Sequence, residues 1–147
     1  FLVGDDYGVP TDLPWGVAFP VGLPGPTTAG YLASEYGIAP PPGTAPSELL
    51  RVHPTQLYET AAGLLVWWVG VRMIRRGAAS GRTAVLSFGL LAAARFAVEF
   101  VRAKDDRFFG PLTLAQVLSL GVVAAMAGLA LWAASRRRRA GDAAEEP

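Results

Sequence analysis

The stretch Thr83–Val101, TAVLSFGLLAAARFAVEFV, decides the fold class, because it is an apolar run long enough to cross a membrane. A membrane-spanning helix needs about 20 predominantly apolar residues. The run nevertheless contains Arg95 and Glu99. Each charge costs roughly 2.5–3.5 kcal/mol near the centre of a spanning helix, so the pair requires an explanation.

Two further apolar segments lie on either side of this run. They are LYETAAGLLVWWVGVRMI (Leu57–Ile74) and LTLAQVLSLGVVAAMAGLALWAAS (Leu112–Ser135). The last segment has no charge, the first gains from its interfacial Tyr and Trp residues, and we expect 83–101 to be the weakest span by hydropathy. A buried amphipathic helix of a soluble domain is the alternative for 83–101, but its neighbours favour the membrane. The sequence predicts an all-α polytopic membrane protein with three spans at about 57–74, 83–101 and 112–135.

Clusters of arginine predict the orientation of these spans. The loop 72–82 holds four arginines, and Arg136–Arg139 follow the third span. Basic segments remain in the cytoplasm, which places the tail 136–147 inside. The Pro/Gly-rich arm 1–56 and the loop 102–111 then lie outside, and we expect 21–47 to be irregular.

Composition excludes several classes of function. The net charge of +1 gives no support for nucleic-acid binding. A single histidine and no cysteine make a His-rich metal site or a disulfide framework unexpected within this chain. For the four-arginine tail we favour a stop-transfer anchor, with nucleic-acid binding and recognition of anionic lipid as alternatives.

The intramembrane charges form the first candidate site. Arg95 and Glu99 are at i and i+4, so they share one helix face, which Arg102 extends. With the inside-to-outside direction above, the pair lies in the outer half of the bilayer. An arginine guanidinium has a planar set of donors that suits phosphate oxygens, which favours a lipid-phosphate site. The alternative is a structural pair that holds two helices in register.

The segment HPTQLYE, His53–Glu59, forms a second candidate site where the arm enters the first span. His53 titrates near neutral pH and could serve as an acid or base, with Gln56 and Tyr58 close to the membrane surface. The alternative is an ordinary interfacial helix start. A third stretch, GDDYGVPTDLPWGVAFP (Gly4–Pro20), has the glycines and prolines of tight turns and an acidic start.

Together these stretches resemble the prolipoprotein diacylglyceryl transferase family. The stretch Gly4–Pro20 is similar to the segment after the family's arginine-glycine signature, and RVHPTQLYE to its His-Pro-(Ser/Thr)-Gln-Leu-Tyr-Glu motif. The stretch ARFAVEFVRAKDDRFFGPLTLAQVLSL is similar to its Arg-Phe-x-x-Glu-Phe-x-Arg helix and the following Gly-x-Leu-(Thr/Ser)-x-x-Gln turn. The order and spacing agree along nearly the whole chain.

The resemblance implies an enzyme of the bacterial inner membrane that moves diacylglyceryl from phosphatidylglycerol to the lipobox cysteine of prolipoproteins. It implies no metal or redox cofactor. Arg95 would stabilise the leaving phosphate, Glu99 would orient Arg95, and His53 would complete the catalytic set. The positions expected to bind substrate are Asp5, Gly8, Gln56, Tyr58, Arg102 and Gln116.

The chain departs from the family pattern in its early part. The His-Gly-Gly motif and the signature arginine are absent, and the family has about twice as many spans. We therefore expect a C-terminal portion whose partner is the missing N-terminal half. Two alternatives stay open. One is a non-catalytic membrane module that binds anionic phospholipid or a partner helix, and the other is a different head-group enzyme.

Overall fold

A computed structural model describes residues 4, 6–23, 25–104 and 107–145, the side chains of 107–109 and 140–145 excepted. Its elements in chain order are α1 (Ala29–Tyr36), α2 (Thr55–Arg75), α3 (Ser80–Val98), a 3-10 helix (Glu99–Val101), β1 (Arg107–Phe109), β2 (Leu112–Thr113) and α4 (Leu114–Glu145). The protein is thus mostly helical, as the sequence predicts.

The chain divides into two compact units. Unit 1 comprises 1–61 and 97–114, and unit 2 comprises 62–96 and 115–147. Unit 1 therefore combines the start of the chain with the segment that follows α3.

Unit 1 has a small aromatic core. Its buried members are Tyr7, Phe19, Leu32, Val52 and Ala103. The rings of Tyr7 and Phe19 stack with their centroids 5.9 Å apart. Extended segments surround this core and pair through single antiparallel bridges, such as those between Val17 and Val52 and between Gly8 and Arg102. These bridges give the Pro/Gly-rich segment a defined path.

Helix α1 lies within 21–47, a stretch that its prolines and glycines predicted to be irregular. The prediction was wrong for 29–36, because two local signals stabilise a helix there. Thr28 is the N-cap, and its side chain accepts a hydrogen bond from the backbone N–H of Tyr31. Gly37 ends the helix at φ 63°, a left-handed conformation in which glycine is favoured.

Two helices of the described chain are long and apolar enough to cross a membrane. They cover Ser80–Val101, with mean hydropathy 1.8, and Leu114–Arg139, with mean hydropathy 2.1. Helix α2 is not apolar enough to join these two helices, because Gln56, Glu59 and Arg72 lower its mean hydropathy. The expectation that 83–101 would be the weakest span was therefore wrong.

In unit 2, small residues allow close approach between helices. A Cβ placed on Gly70 would lie 3.6 Å from Ser87 Oγ, and one on Gly89 would lie 3.6 Å from Met126 Cβ. Helix α2 ends at a turn in which Gly77 has φ 77° and the backbone N–H of Ala78 donates to the carbonyl of Met73. This short turn returns the chain into α3.

Two details differ from the predicted boundaries around the third span. The loop 102–111 contains β1, which pairs antiparallel with β2 across a turn where Gly110 has φ 60°. Helix α4 begins at Leu114 and continues through the four arginines to Glu145. The predicted membrane exit at 135 therefore does not coincide with a helix end.

Candidate functional site

His53 lies at the end of an extended segment, two residues before α2 begins. Its backbone N–H donates to the carbonyl of Val9 at 3.1 Å, and its carbonyl accepts from the N–H of Gly8 at 2.8 Å. The carbonyl also accepts from the N–H of Thr55 at 2.9 Å, at the start of α2. Both flanks of His53 are therefore held, one by the early segment and one by the helix.

Gly8 occupies the centre of this arrangement. It is bridged to Arg102, and a Cβ built on it would lie 2.6 Å from the Cβ of His53 and also collide with the carbonyl of Val101. No side chain fits there without a backbone shift. The predicted importance of Gly8 thus has a physical reason, which is the close approach of three chain segments.

The imidazole of His53 belongs to a chain of three side chains. Its Nδ1 lies 3.0 Å from the hydroxyl of Tyr58, and that hydroxyl accepts a hydrogen bond of 2.8 Å from the indole Nε1–H of Trp15. The His53 and Tyr58 rings meet edge to face at 5.9 Å. Burial lowers the pKa of His53, because desolvation disfavours the charged imidazolium.

Arg102 links two acidic residues. Its guanidinium forms an ion pair with Asp6, and its Nη1 lies 3.8 Å from Glu99 Oε2. The side chains of Glu99 and Arg102 are 0% and 9% exposed, whereas that of Asp6 is 58% exposed. A carboxylate with no exposed surface requires cationic or hydrogen-bonding neighbours, and Arg102 supplies one of them.

The predicted site residues are distributed over both units. In unit 1, Gly8 lies against His53 and is bridged to Arg102, His53 contacts Tyr58, and Arg102 lies near Glu99. Half-buried Gln56 lies in the first turn of α2. Arg95 is half-buried on α3 and Gln116 is buried on α4, both in unit 2. Asp5 lies outside the described residues.

Two further contributors, Asp6 and Trp15, were not among the predicted site residues. Asp6 has φ 50°, uncommon for a residue other than glycine, and its carbonyl accepts a hydrogen bond from the hydroxyl of buried Thr55. Trp15 is 55% exposed and donates its indole N–H to the hydroxyl of Tyr58. The adjacent pair Asp5–Asp6 was a visible signal for Asp6, but no local pattern connects Trp15 with Tyr58, 43 positions away.

Comparison with known proteins identifies the family. The family model for prolipoprotein diacylglyceryl transferase matches residues 1–132. A phosphatidylglycerol–prolipoprotein diacylglyceryl transferase from Nitratidesulfovibrio vulgaris is 36% identical over 152 residues, covering 97% of this chain and 44% of that protein. No solved structure matches the chain significantly.

Two further relatives with the same name give a similar result. The protein from Solidesulfovibrio magneticus is 36% identical over 93% of this chain and 43% of its own length. The one from Xanthomonas oryzae pv. oryzae is 38% identical over 93% of this chain and 46% of its own length. The chain thus spans less than half the length of each of these relatives, and the family model matches the chain as far as residue 132. The chain belongs to the prolipoprotein diacylglyceryl transferase family.

Proposed function

We propose that the protein containing this chain transfers the diacylglyceryl group of phosphatidylglycerol to the lipobox cysteine of prolipoproteins. One observation carries the proposal. Arg95 lies within Ser80–Val101, a helix of the length and hydropathy of a membrane span. A guanidinium in such a helix is costly, and binding a lipid phosphate is a function that explains its presence. Family membership supplies the reaction class.

In this reaction the cysteine sulfur forms a thioether bond to a glyceryl carbon as that carbon's bond to the phosphate oxygen breaks. Glycerol phosphate leaves, and the thiol proton is transferred to a base or to the leaving phosphate. Arg95 stabilises the negative charge that develops on the phosphate. Glu99, four positions later in sequence, orients Arg95, and His53 contributes a titratable imidazole beside the substrate.

We assign the remaining residues to substrate binding. Gly8 permits the close backbone approach that holds His53, and Arg102 supplies a guanidinium 3.8 Å from Glu99. Asp5, Gln56, Tyr58 and Gln116 complete the set that contacts phosphatidylglycerol or the lipobox peptide. The N-terminal half of the same enzyme is the partner that completes the active site.

The proposal includes three membrane spans in the bacterial inner membrane with a cytoplasmic C-terminus. Helix α2 has 21 residues, and at about 1.5 Å per residue its length is about 31 Å, which matches the hydrocarbon core. The Arg72–Arg82 and Arg136–Arg139 clusters then lie inside. The arm 1–56 faces outward, where phosphatidylglycerol of the outer leaflet meets the exported precursor.

The test is transfer from radiolabelled phosphatidylglycerol to a lipobox peptide by the full-length enzyme. Arg95→Ala should lower transfer by roughly 100-fold or more, as expected for loss of a transition-state charge partner, while the protein still inserts. Glu99→Gln should lower it less. The matched control is Arg82→Ala on the same helix, which should keep activity close to wild type.

Full activity of Arg95→Ala would remove this residue from the mechanism. Equal loss in Arg95→Ala and Arg82→Ala would indicate a general requirement for positive charge and would contradict the assigned role.

A second function, binding of anionic phospholipid without transfer, is favoured by one feature of unit 2. A cavity of about 1010 Å³ is lined mainly by apolar side chains of α3 and α4, with Arg82 and Arg137 among its lining residues. Apolar walls with a few polar groups are typical of ligand sites. This function predicts retention of phosphatidylglycerol in purified protein that transfers nothing to the lipobox peptide.

A further inference from the structure

The hydroxyl of Tyr58 has two hydrogen-bond partners, Trp15 and His53, and the chemistry of Trp15 determines the direction of one of the two bonds. The indole Nε1 of Trp15 is only a donor, so the Tyr58 oxygen is the acceptor of the 2.8 Å bond. The hydroxyl proton then needs an acceptor of its own. Within the described part of the chain, the acceptor in reach is Nδ1 of His53, 3.0 Å away.

A proton donated by Tyr58 to Nδ1 requires that Nδ1 carry none itself. A neutral imidazole has one protonated nitrogen, so its proton must then be on Nε2. The partly buried position agrees with a neutral ring, because desolvation lowers the pKa of His53. Among the described residues none is bonded to Nε2, which leaves that N–H available to a ligand.

The surrounding backbone restricts the orientation of the ring. Hydrogen bonds from Gly8 and Thr55 to the His53 carbonyl, and from His53 to the Val9 carbonyl, hold the residue from both sides. Tyr58 is on the first turns of α2, so its ring position is determined by the helix. Trp15 adds a donor from a separate segment, which selects one orientation of the Tyr58 hydroxyl.

We propose that Trp15 is a positioning residue and that Tyr58, besides its place in the substrate-binding set, has the same positioning role, so that together they hold His53 as its Nε2–H tautomer. His53 thereby presents a hydrogen-bond donor, rather than a basic lone pair, to an anionic oxygen of the substrate. The identity of that oxygen, a phosphate oxygen of the lipid, depends on the proposed function. The tautomer of His53 does not depend on the proposed function, and it can be measured without any enzymatic turnover.

Nitrogen NMR of ¹⁵N-histidine-labelled protein in phosphatidylglycerol nanodiscs measures the tautomer directly. The His53→Gln variant identifies the His53 signals by their disappearance. At pH 7.5 we expect a protonated Nε2 and an unprotonated Nδ1. Tyr58→Phe should convert this state into a mixture of tautomers, and Trp15→Phe should do so in part. Tyr31→Phe and Trp67→Phe are the matched controls, and they should leave the signals unchanged.

A protonated Nδ1 in the wild-type protein overturns the proposal. An unchanged tautomer in Tyr58→Phe does so as well, and that variant keeps the ring and its packing. Unfolding of Tyr58→Phe would be recognised by circular dichroism, and Trp15→Phe, at an exposed position, then provides the decisive measurement.

The activity measurement separates this inference from the proposed function. Tyr58→Phe and Trp15→Phe should each lower kcat/KM for lipobox transfer roughly two- to tenfold, about the value of one hydrogen bond. The double variant should be no worse than Tyr58→Phe, because both changes act on one contact. Absence of transfer in the wild-type protein refutes the proposed function, while the NMR result still decides the tautomer.

Discussion

At the scale of single residues, Gly8 is the motif residue whose identity is most directly explained by the structure. It lies against the backbone of Val101 and the Cβ of His53, which only a residue without a side chain permits. We expect Gly8→Ala to lower the free energy of unfolding by about 1–3 kcal/mol, because the hydrogen bonds of Gly8 and Val9 must lengthen. Thermal unfolding in nanodiscs measures this change.

Gly63→Ala is the control for this substitution. A Cβ at Gly63 would meet nothing within 4 Å, and the residue lies inside α2. Alanine is the better helix former, so this variant should be neutral or more stable by up to about 1 kcal/mol. Equal destabilisation by both substitutions would contradict the argument from close approach.

Arg102 and Glu99 form a buried ion pair in unit 1. We expect Arg102→Gln to destabilise the fold by up to about 3 kcal/mol, since a carboxylate with no exposed surface loses a cationic neighbour. Asp6→Asn should cost less than about 1 kcal/mol, because water already screens that carboxylate. Chemical denaturation compares the two. A larger effect of Asp6→Asn would refute this ranking.

His53 should make stability depend on pH in one direction. Burial lowers its pKa in the folded state below the ordinary value of 6.5. Neutral His53 therefore contributes fully to the free energy of unfolding above pH 6.5. As the pH falls below 6.5, the unfolded chain binds a proton on this histidine before the folded chain does, so the contribution is lost. The Tm of the wild-type chain should fall between pH 7 and pH 5, and His53→Gln should reduce that fall. An identical fall in the variant would assign the effect to other groups.

At the scale of elements, Thr27 connects three segments of unit 1 just before α1. Its buried hydroxyl accepts from the N–H of Phe19 and donates to the carbonyl of Leu50, both at 2.9 Å. Thr27→Val should cost about 1–3 kcal/mol, because one buried and one partly buried backbone group lose their partner. Thr27→Ser keeps the hydroxyl and should cost much less in the same unfolding measurement. Equal losses would attribute the effect to packing of the methyl group.

A helix or strand could be predicted from the sequence when the residues that stabilise it are neighbours in the chain and form a recognisable pattern. The three long helices follow from apolar runs, and the structure places a helix at each of them. Helix α1 was missed although Thr28 and Gly37 are local signals, because the prolines around it favoured irregular chain. The β1–β2 hairpin was missed because it is only three and two residues long, too short for a periodic pattern.

The residues of the candidate site likewise fall into those that the sequence indicated and those that it did not. The resemblance to the family predicted Gly8, His53, Tyr58, Glu99 and Arg102 as site residues; all five lie in unit 1, and their roles stay predictions. The resemblance could not select Trp15 or Asp6, because their partners lie 43 and 96 positions away. Such pairings depend on the path of the whole chain, which no local pattern encodes.

At the scale of the whole molecule, the proposed orientation can be tested in this chain without removing native thiols, because it has no cysteine. Ser47 and Ser80 are both exposed and lie on opposite sides in the proposal. In intact cells a membrane-impermeant maleimide should label Ser47→Cys but not Ser80→Cys, which should react only after the cells are opened. The reverse pattern would invert the orientation.

Asp6 and Arg102, the ion pair that links the two ends of unit 1, are 96 positions apart. At about 5–20 residues per second, the ribosome produces the arginine roughly 5–20 s after the aspartate. During synthesis the segment that carries Asp6 must therefore wait for α2 and α3 to be made before Arg102 is available to pair with it. During that interval the early part of unit 1 is unpaired and can be bound by chaperones or cleaved by proteases.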